Sequence, residues 1–282
     1  MKNNIILMAV DLSESSATSI PHISQLIREL KGSLSLIYVV KSYLKDWMSS
    51  GNIEREAQQR LEHWMELIAS EGIPAGQIIV KVGNVADNIC VTADLLKADL
   101  IIICAGKKSS VNRHHTGTTA ETVVRHASQS VWVHKTPIYS GIKKVLCGVD
   151  MSENATHALN KAISACRTFN ARLDVLHAIK EPNIESLGVS LQEKEERMEH
   201  FKTKKTEEFE NYLNGFDLKG LDRKTLIVWG SASKAILSYA TDEQTDLIVL
   251  GATGKSNLKR VMMGSTAEKV LCATPCSLLI VR

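Results

Sequence analysis

Residues 251–266, GATGKSNLKRVMMGST, carry the residue types that bind phosphate groups. The Gly-Lys-Ser that begins at Gly254 is not part of a P-loop. That motif has a first glycine, four further residues and then Gly-Lys-Ser/Thr, and Val249 occupies the position of the first glycine. The glycines instead have the spacing G-x2-G-x9-G, followed by Ser265 and Thr266. Glycine permits positive φ and lets the main chain approach a ligand closely. The segment therefore predicts main-chain amides arranged around a phosphate chain.

The end of this segment also predicts a helix start. Gly264, Ser265 and Thr266 precede the sequence AEKVL, which suits a helix. A helix N-terminus offers free N–H groups and a partial positive charge, and both favour phosphate. The two hydroxyls add donors, so we expect the glycines and the helix start to hold a phosphate chain from two sides.

The elements that must position this segment occur twice in the chain. The sequence NIILMAVDLSESSA, which contains Asp11, returns as KKVLCGVDMSENAT, which contains Asp150. The later stretches KADLIIICAG and GTTAETVVRHASQSVWVHK return as QTDLIVLGAT and GSTAEKVLCATPCSLLIVR. Such ordered self-similarity predicts a tandem duplication. We place one domain at 1–138 and the second at 141–282, joined by a short connector that contains proline, serine and glycine.

Each copy alternates apolar strands with helices. The strands, such as ILMAV and DLIIICA, lack polar alternation, which is typical of parallel sheets covered by helices on both faces. The predicted fold class is α/β, with two doubly wound five-stranded Rossmann-like domains. In such sheets ligands bind beyond the carboxyl ends of the strands, where the strand order reverses. Asp150 follows the first strand of the second copy and Gly251 ends its fourth, so both should flank one crevice.

The closing strand of each copy, SVWVH or SLLIV, is apolar and would lie at the edge of its sheet. A bare apolar edge favours pairing with another strand. We therefore expect the two copies to pair with each other as an internal pseudo-dimer. The sequence leaves a homodimer through the same strands open.

The composition restricts the classes of partner. Net charge is +3 over 282 residues, which is too weak to indicate binding to nucleic acid or to an anionic membrane surface. No apolar run approaches the roughly 20 residues of a membrane helix, and the apolar run before Asp11 fits a buried strand better than a signal peptide. The six cysteines lie mostly within apolar runs, as free thiols of a cytoplasmic protein would, and their spacing does not indicate zinc.

The repeated strand–Asp–x–Ser start, the G-x2-G-x9-G-S/T segment and the apolar closing strand resemble the universal stress protein family over essentially the whole chain. The resemblance implies a five-stranded α/β fold, similar to that of adenine nucleotide α-hydrolases. It also implies a role in the stress response and ATP at the strand ends, with or without Mg²⁺. It assigns the phosphate and ribose contacts to Gly251, Gly254, Gly264, Ser265 and Thr266. It places beside the adenosine Gly148, Val149, Asp150 and, through its main chain, Ala178.

The first copy departs from this pattern. Cys104 and Lys107 take the places of the first two glycines, while Gly117, Thr118 and Thr119 match the helix start. Side chains at the first two positions would crowd the approach of the main chain to a ligand. The resemblance therefore implies a nucleotide motif that is weakened or empty in the first domain.

Enzymatic activity is left open. Hydrolysis needs a positioned base or water-orienting residue and usually a carboxylate for Mg²⁺, and the glycine segment contains no acid before Glu268. We therefore expect a nucleotide-dependent regulatory protein with at most slow ATP hydrolysis, and we assign no catalytic residue and no metal ligand. One alternative is an AMP-forming enzyme, which would carry a glycine-rich loop where this chain has VDMSEN. The other is an interaction module that makes no use of nucleotide.

Two further features have more than one interpretation. His177 ends a predicted strand and could act as a base, but without an evident partner it better fits a partly buried histidine. Residues 192–210 are rich in both charges, which is typical of an exposed helix face with i,i+4 pairs. A flap over the site or a partner-docking element is the alternative for this helix.

Overall fold

Strands and helices alternate along the chain, as the apolar runs predict. A computed structural model describes residues 4–42, 50–104, 118–135, 141–180, 182, 190–254 and 263–282. In the first repeat these residues form β1 (Asn4–Val10), α1 (Glu14–Leu30), β2 (Gly32–Val40), α2 (Ser50–Ser70), β3 (Ala75–Val82), α3 (Val85–Leu96), β4 (Leu100–Cys104), α4 (Thr118–His126) and β5 (Ser130–His134). In the second repeat they form β6 (Lys144–Val149), α5 (Glu153–Phe169), β7 (Arg172–Ile179), α6 (Leu191–Leu213), β8 (Arg223–Trp229), α7 (Ala232–Asp242), β9 (Leu247–Gly251), α8 (Ser265–Ala273) and β10 (Ser277–Val281). The same order of elements in both repeats confirms the predicted α/β fold class.

The ten strands form one sheet with the order β3-β2-β1-β4-β5-β10-β9-β6-β7-β8. Within each repeat the strands are parallel, and the order reverses between the first and fourth strands. This is the predicted doubly wound arrangement. In the second repeat the reversal lies between β6 and β9, so Asp150 and Gly251 do follow neighbouring strands and flank one crevice.

The two repeats join through their closing strands. β5 and β10 pair antiparallel, and Trp132 lies directly opposite Leu279. These two residues hold equivalent positions in the aligned repeats, so a pseudo-two-fold axis passes between them. The predicted internal pseudo-dimer is confirmed. A homodimer through the closing strands is not, because β4 and β9 pair with the other edges of β5 and β10 and leave neither strand an edge for a second chain.

Helices cover both faces of the sheet and bury two apolar cores. One core contains side chains of α1, α2, α5 and α6, and the other contains side chains of α3, α4, α7 and α8. The helical period explains the burial of α1, where Ile20, Ile23 and Ile27 face the sheet. Both cores run through the seam between the repeats, because β5 and β10 contribute to each.

Serine side chains fix the start of the first helix in each repeat. Ser13 and Ser152 are the N-caps of α1 and α5, and their hydroxyls accept the main-chain N–H of Ser16 and Ala155 at 3.2 Å in both repeats. An N-cap oxygen satisfies one of the N–H groups that a helix start leaves free. These two helices therefore begin immediately after the Asp-x-Ser sequences that the repeats share.

The charged helix predicted over 192–210 is α6. It begins with a capping box between Ser190 and Glu193, and Lys205 and Glu208 form an i,i+3 ion pair. Phe209 is 1% exposed, so the end of the helix is anchored in the core while most of its charged side chains face outward. None of the helices in the described ranges is long and apolar enough to cross a membrane.

Each closing strand is followed by a cation that caps the last helix of the other repeat. The Arg282 guanidinium donates to the carbonyl oxygens of Val124 and Arg125 in α4, at 2.7 and 2.9 Å. The Lys135 ammonium donates to the carbonyl oxygen of Thr274, the C-cap of α8. A helix end leaves carbonyl groups without intrahelical partners, and a cation there stabilises both these groups and the helix dipole.

We expect Lys135→Met to lower the free energy of unfolding by about 1 kcal/mol, because the α8 carbonyl loses a charged donor. Urea denaturation followed by circular dichroism measures the change. Lys269→Met is the matched control, since Lys269 is exposed on the same helix, and it should change stability by less than about 0.5 kcal/mol. Equal losses in the two variants would contradict a capping role for Lys135.

Candidate functional site

A cavity of about 210 Å³, here called the strand-end cavity, lies where β6 and β9 end. Its walls include all nine residues that the sequence predicts for a nucleotide site: Gly148, Val149, Asp150, Ala178, Gly251, Gly254, Gly264, Ser265 and Thr266. Residues from β6, β7, β9 and the start of α8 therefore converge on one space. Their part in nucleotide binding stays a prediction.

A tight turn after β6 holds Asp150 at this cavity. Met151 has a φ of 61° and its counterpart Leu12 in the first repeat has a φ of 57°, both in the left-handed region that non-glycine residues seldom adopt. The Asp150 carboxylate accepts the main-chain N–H of Ser152 at 3.1 Å. The same turn in both repeats shows that the strained backbone belongs to the Asp-x-Ser sequence, which places a carboxylate at the strand end.

The start of α8 presents main-chain amides to the cavity. Its N-cap is Gly264, with a φ of −66° and no side chain to accept a hydrogen bond. The first bond of the helix runs from the Glu268 N–H to the Gly264 carbonyl at 2.9 Å. The N–H groups of Ser265, Thr266 and Ala267 consequently have no acceptor among the described residues. This helix start is electropositive and suited to an anionic ligand.

At most of the glycines of the site, a side chain would collide with neighbouring atoms of the protein, and none of them has a positive φ. Gly148, Gly251, Gly254 and Gly264 all lie outside the left-handed region, so of the two properties that glycine offers, positive φ does not explain them. A Cβ on Gly251 would lie 2.9 Å from the carbonyl oxygen of Asn154, which means that the glycine lets α5 approach β9. The reason for this glycine is therefore the packing of the protein itself.

Two more of these glycines have distinct neighbours. A Cβ on Gly148 would lie 2.7 Å from the side chains of Ile236 and Leu250, again a matter of packing. A Cβ on Gly254 would collide with the carboxylate of Asp150. Gly254 is thus the glycine whose absent side chain leaves room inside the strand-end cavity.

Some residues that line the cavity, and Asn154 beside it, were not predicted from the sequence. The Asn154 amide donates to the Thr253 hydroxyl and so joins the first turn of α5 to the loop after β9. Leu176, Ile236 and Leu250 supply an apolar wall. Thr253 lies between two predicted glycines, and Asn154 lies two residues after Ser152. Their positions next to the motif residues could have indicated that they lie near the site.

The equivalent aspartate of the first repeat is tied to its own helix. Asp11 accepts hydrogen bonds from the Ser13 N–H at 3.0 Å, the Ser13 hydroxyl at 2.6 Å and the Ser16 hydroxyl at 2.5 Å. Burial raises the pKa of Asp11, but these hydrogen bonds outweigh it and leave the pKa below its usual value. In the second repeat Ala155 stands where Ser16 supplies its hydroxyl, so Asp150 lacks this partner.

The rest of the first-repeat motif is only partly described. Lys107 and Gly117 lie outside the described residues. Cys104 ends β4 and its thiol contacts the Ser19 hydroxyl, while burial raises the pKa of this thiol to about 11. The Cys104 side chain packs against α1 and fills the space that is empty at Gly251, so a neighbouring main chain cannot come as close to β4 as α5 comes to β9.

His177 is held within the fold. Its Nδ1 lies 2.7 Å from the Val149 carbonyl oxygen, the side chain is 5% exposed, and its ring lies 5.2 Å from that of Phe209. The interpretation as a buried histidine is confirmed. In the part of the chain that is described, no group of three or more His, Cys, Asp and Glu side chains could hold a metal ion, and all six cysteines are free.

A larger cavity of about 870 Å³, here called the seam cavity, lies between the repeats. It contains none of the nine predicted residues and lies on the α1 and α5 face of the sheet. Size alone would favour it as a ligand site. The start of α8, whose first amides have no acceptor among the described residues, belongs instead to the strand-end cavity, as does Gly254.

Comparison with known proteins identifies the class. The model of the universal stress protein family matches residues 2–135 and again residues 141–282. The chain therefore belongs to the universal stress protein family, as a tandem two-domain member, and the predicted resemblance is confirmed. Membership supports a role in the stress response.

Individual relatives match one repeat or the whole chain. Universal stress protein MJ0577 of Methanocaldococcus jannaschii is 34% identical over 154 residues, which is 50% of this chain and 94% of that protein. Universal stress protein YxiE of Bacillus subtilis is 30% identical over 145 residues, 49% of this chain and 98% of that protein. The crystal structure of a universal stress protein from Archaeoglobus fulgidus covers 100% of this chain and 99% of its own, with a TM-score of 0.74 and 19% identity. Protein PA1789 of Pseudomonas aeruginosa, with a TM-score of 0.76, 17% identity and coverage of 99% and 92%, shares the same fold.

Proposed function

We propose that the second repeat binds ATP and that the protein acts as a nucleotide-dependent regulatory protein of the stress response. The observation that carries this proposal is the start of α8, where a glycine N-cap leaves amides free at a cavity between two strand ends. The G-x2-G-x9-G-S/T spacing, which resembles that of ATP-binding members of the family, supports it.

Charge orients the nucleotide in this proposal. The amides and hydroxyls of Ser265 and Thr266 would donate to the phosphates. Asp150 forms the wall at the end of β6, and an ionised carboxylate accepts hydrogen bonds only, so it suits the hydroxyl or amine donors of adenosine and repels phosphate. The nucleoside would therefore lie toward β6 and β7, beside the main chain of Ala178 and the apolar wall, with the phosphates toward α8.

The strand-end cavity would enclose only part of the nucleotide. Its volume of about 210 Å³ is below the roughly 300–1,000 Å³ of typical ligand pockets. Any Mg²⁺ would enter with the phosphates, since we assign no metal ligand to the chain.

Regulation by binding fits the site better than catalysis. Among the described residues that line the cavity, Asp150 is the one acid, and none is a histidine, a lysine or a second carboxylate that could act as a base in hydrolysis. The AMP-forming alternative lacks a glycine-rich loop after β6, where the left-handed Met151 stands. Slow ATP hydrolysis and a nucleotide-independent interaction module are the outcomes that a product assay and a binding assay distinguish.

Calorimetric titration with ATP tests the proposal. We expect one site per chain in the native protein, and affinity at least tenfold weaker in the double variant Ser265→Ala/Thr266→Ala, because each lost hydrogen bond is worth about 1 kcal/mol. The matched control is Thr118→Ala/Thr119→Ala, the equivalent pair in the first repeat, which should bind as the native protein does. Absence of heat at millimolar ATP, or an equal loss in the control, would refute ATP binding by the second repeat.

The same experiment addresses turnover. After incubation with ATP, chromatography of the nucleotides shows whether ADP or AMP forms. The proposal expects at most slow ADP release, whereas rapid AMP formation would favour the enzyme alternative. We also propose a cytoplasmic location, which the six free thiols support because such thiols persist in a reducing compartment.

A further inference from the structure

The seam cavity is lined by both repeats. Its floor includes Trp132 and His134 of β5, its sides include Leu26 of α1 and Ile142, and its volume is about 870 Å³. This volume lies within the roughly 300–1,000 Å³ range of small-molecule sites. The charged lining residues of the seam cavity are Glu29, Asp222, Lys143, Arg167 and Arg172. Arg167 and Arg172 are paired with Asp217 and Asp174, so the charge on the cavity is close to balanced and selects neither cations nor anions.

Buried polar atoms at the floor have no partner among the described residues. The indole Nε1 of Trp132 and both ring nitrogens of His134 make no hydrogen bond there, although each side chain is only 2% exposed. Leaving such an atom unsatisfied in the interior destabilises the folded state, because it has lost its hydrogen bonds to water. Burial, with a smaller effect of His22, lowers the pKa of His134 to about 4, so its ring is neutral at pH 7.

The second repeat shows that the fold does not need these polar atoms. In the aligned repeats Leu279 and Val281 hold the positions of Trp132 and His134, on the same face of the sheet, and both are buried. Residues that destabilise a fold without a compensating structural contact are found mainly at functional sites. The unsatisfied pair in the first repeat therefore indicates a ligand.

We propose that the seam cavity binds a small uncharged organic molecule with an apolar body and a polar head that both donates and accepts hydrogen bonds. The Trp132 N–H and one nitrogen of His134 need acceptors, while the other nitrogen of a neutral imidazole needs a donor. Leu26 and Ile142 would contact the apolar body. An ionic ligand would have to lose its hydration beside a neutral imidazole, which is costly without a buried counter-charge.

Ligand-observed NMR titration with three matched probes tests this proposal. Benzamide is neutral and both donates and accepts, benzoate is charged and only accepts, and toluene has no polar head. We expect saturable binding of benzamide to the full-length protein, at least tenfold tighter than binding of benzoate or toluene. Equal binding of toluene, or no saturable binding of benzamide, would overturn the proposal and leave a cavity that holds only water.

Variants separate this site from the fold and from ATP. Trp132→Phe keeps the ring and removes the donor, and His134→Val introduces the residue of the second repeat. Each should weaken benzamide binding at least tenfold while the melting temperature stays the same or rises, because an unsatisfied buried group is lost. Unchanged benzamide affinity in both variants would overturn the proposal. The ATP titration should be unaffected, so the result is independent of the function proposed for the second repeat.

Discussion

Replacing Arg172 by alanine should lower the free energy of unfolding by about 3 kcal/mol, the lower end of the range for breaking a buried ion pair. The Asp174 carboxylate is 1% exposed and receives the Arg172 Nε and Nη2 at 2.8 and 2.7 Å. Tyr239 adds a hydroxyl hydrogen bond to Asp174 at 3.0 Å. Without the guanidinium, a buried carboxylate would retain this neutral donor but lose its cation.

The contacts with Asp174 also change the pKa values of its two donors. The hydrogen bonds to Asp174 raise the pKa of Arg172. Burial, followed by the hydrogen bond to Asp174, raises the pKa of Tyr239 to about 12. Both shifts favour the protonated forms of Arg172 and Tyr239, which are the forms that can donate hydrogen bonds to the buried carboxylate.

Urea denaturation of Arg172→Ala and Arg167→Ala provides the measurement and its control. Arg167 pairs with Asp217 at 2.8 Å, but the two side chains are 45% and 72% exposed. Such surface pairs contribute at most about 1 kcal/mol. If both variants lost the same stability, burial of Asp174 would not be the reason for the loss.

The fold could be predicted from sequence because its determinants are either local or repeated along the chain. Apolar runs without alternation indicated buried parallel strands, and Ser13 and Ser152 marked the starts of the helices that follow. The duplication added the pairing of the closing strands, since two apolar edges in one chain can cover each other. These features can be read from the sequence without knowing which side chains contact each other across the sheet.

The side-chain pairs that join separate elements could not be predicted. Arg172 and Asp174 stand two apart on β7, but only the structure shows that Asp174 is buried against Tyr239 of α7. In the same way, the sequence predicted which glycines line the strand-end cavity but not why they are glycines. Gly251 makes room for Asn154, which comes from a helix about a hundred residues earlier in the chain.

The unsatisfied atoms of Trp132 and His134 show the same limit. In sequence, SVWVH is an apolar closing strand like SLLIV, and nothing in the two patterns distinguishes their roles. The difference arises in three dimensions, where Trp132 and His134 line a cavity at the seam and keep buried polar atoms without partners among the described residues. Side chains alternate between the two faces of a strand, so Trp132 and His134 can be assigned to one face from the sequence. The cavity next to them depends on how α1 and α5 pack across the two repeats, which the sequence does not show.

Gly254→Ala should weaken ATP binding at least 100-fold, which corresponds to about 2.7 kcal/mol of binding free energy. The added Cβ would collide with the Asp150 carboxylate, so either that carboxylate moves into the strand-end cavity or the loop moves away from it. Both movements occupy or distort the space proposed for the nucleotide. The change should cost little stability in the absence of ATP, because the colliding atom is the end of a side chain.

Melting temperatures with and without 5 mM Mg-ATP separate these effects. A ligand that binds only the native state raises its stability in proportion to the logarithm of its concentration over Kd. The native protein and the control variant Gly215→Ala, which changes a glycine outside the cavity lining, should both be stabilised by ATP. Gly254→Ala should melt at nearly the native temperature without ATP and show no increase with it. An undiminished increase would mean that the main chain at Gly254 does not approach the nucleotide, and the phosphates would then depend on the start of α8 alone.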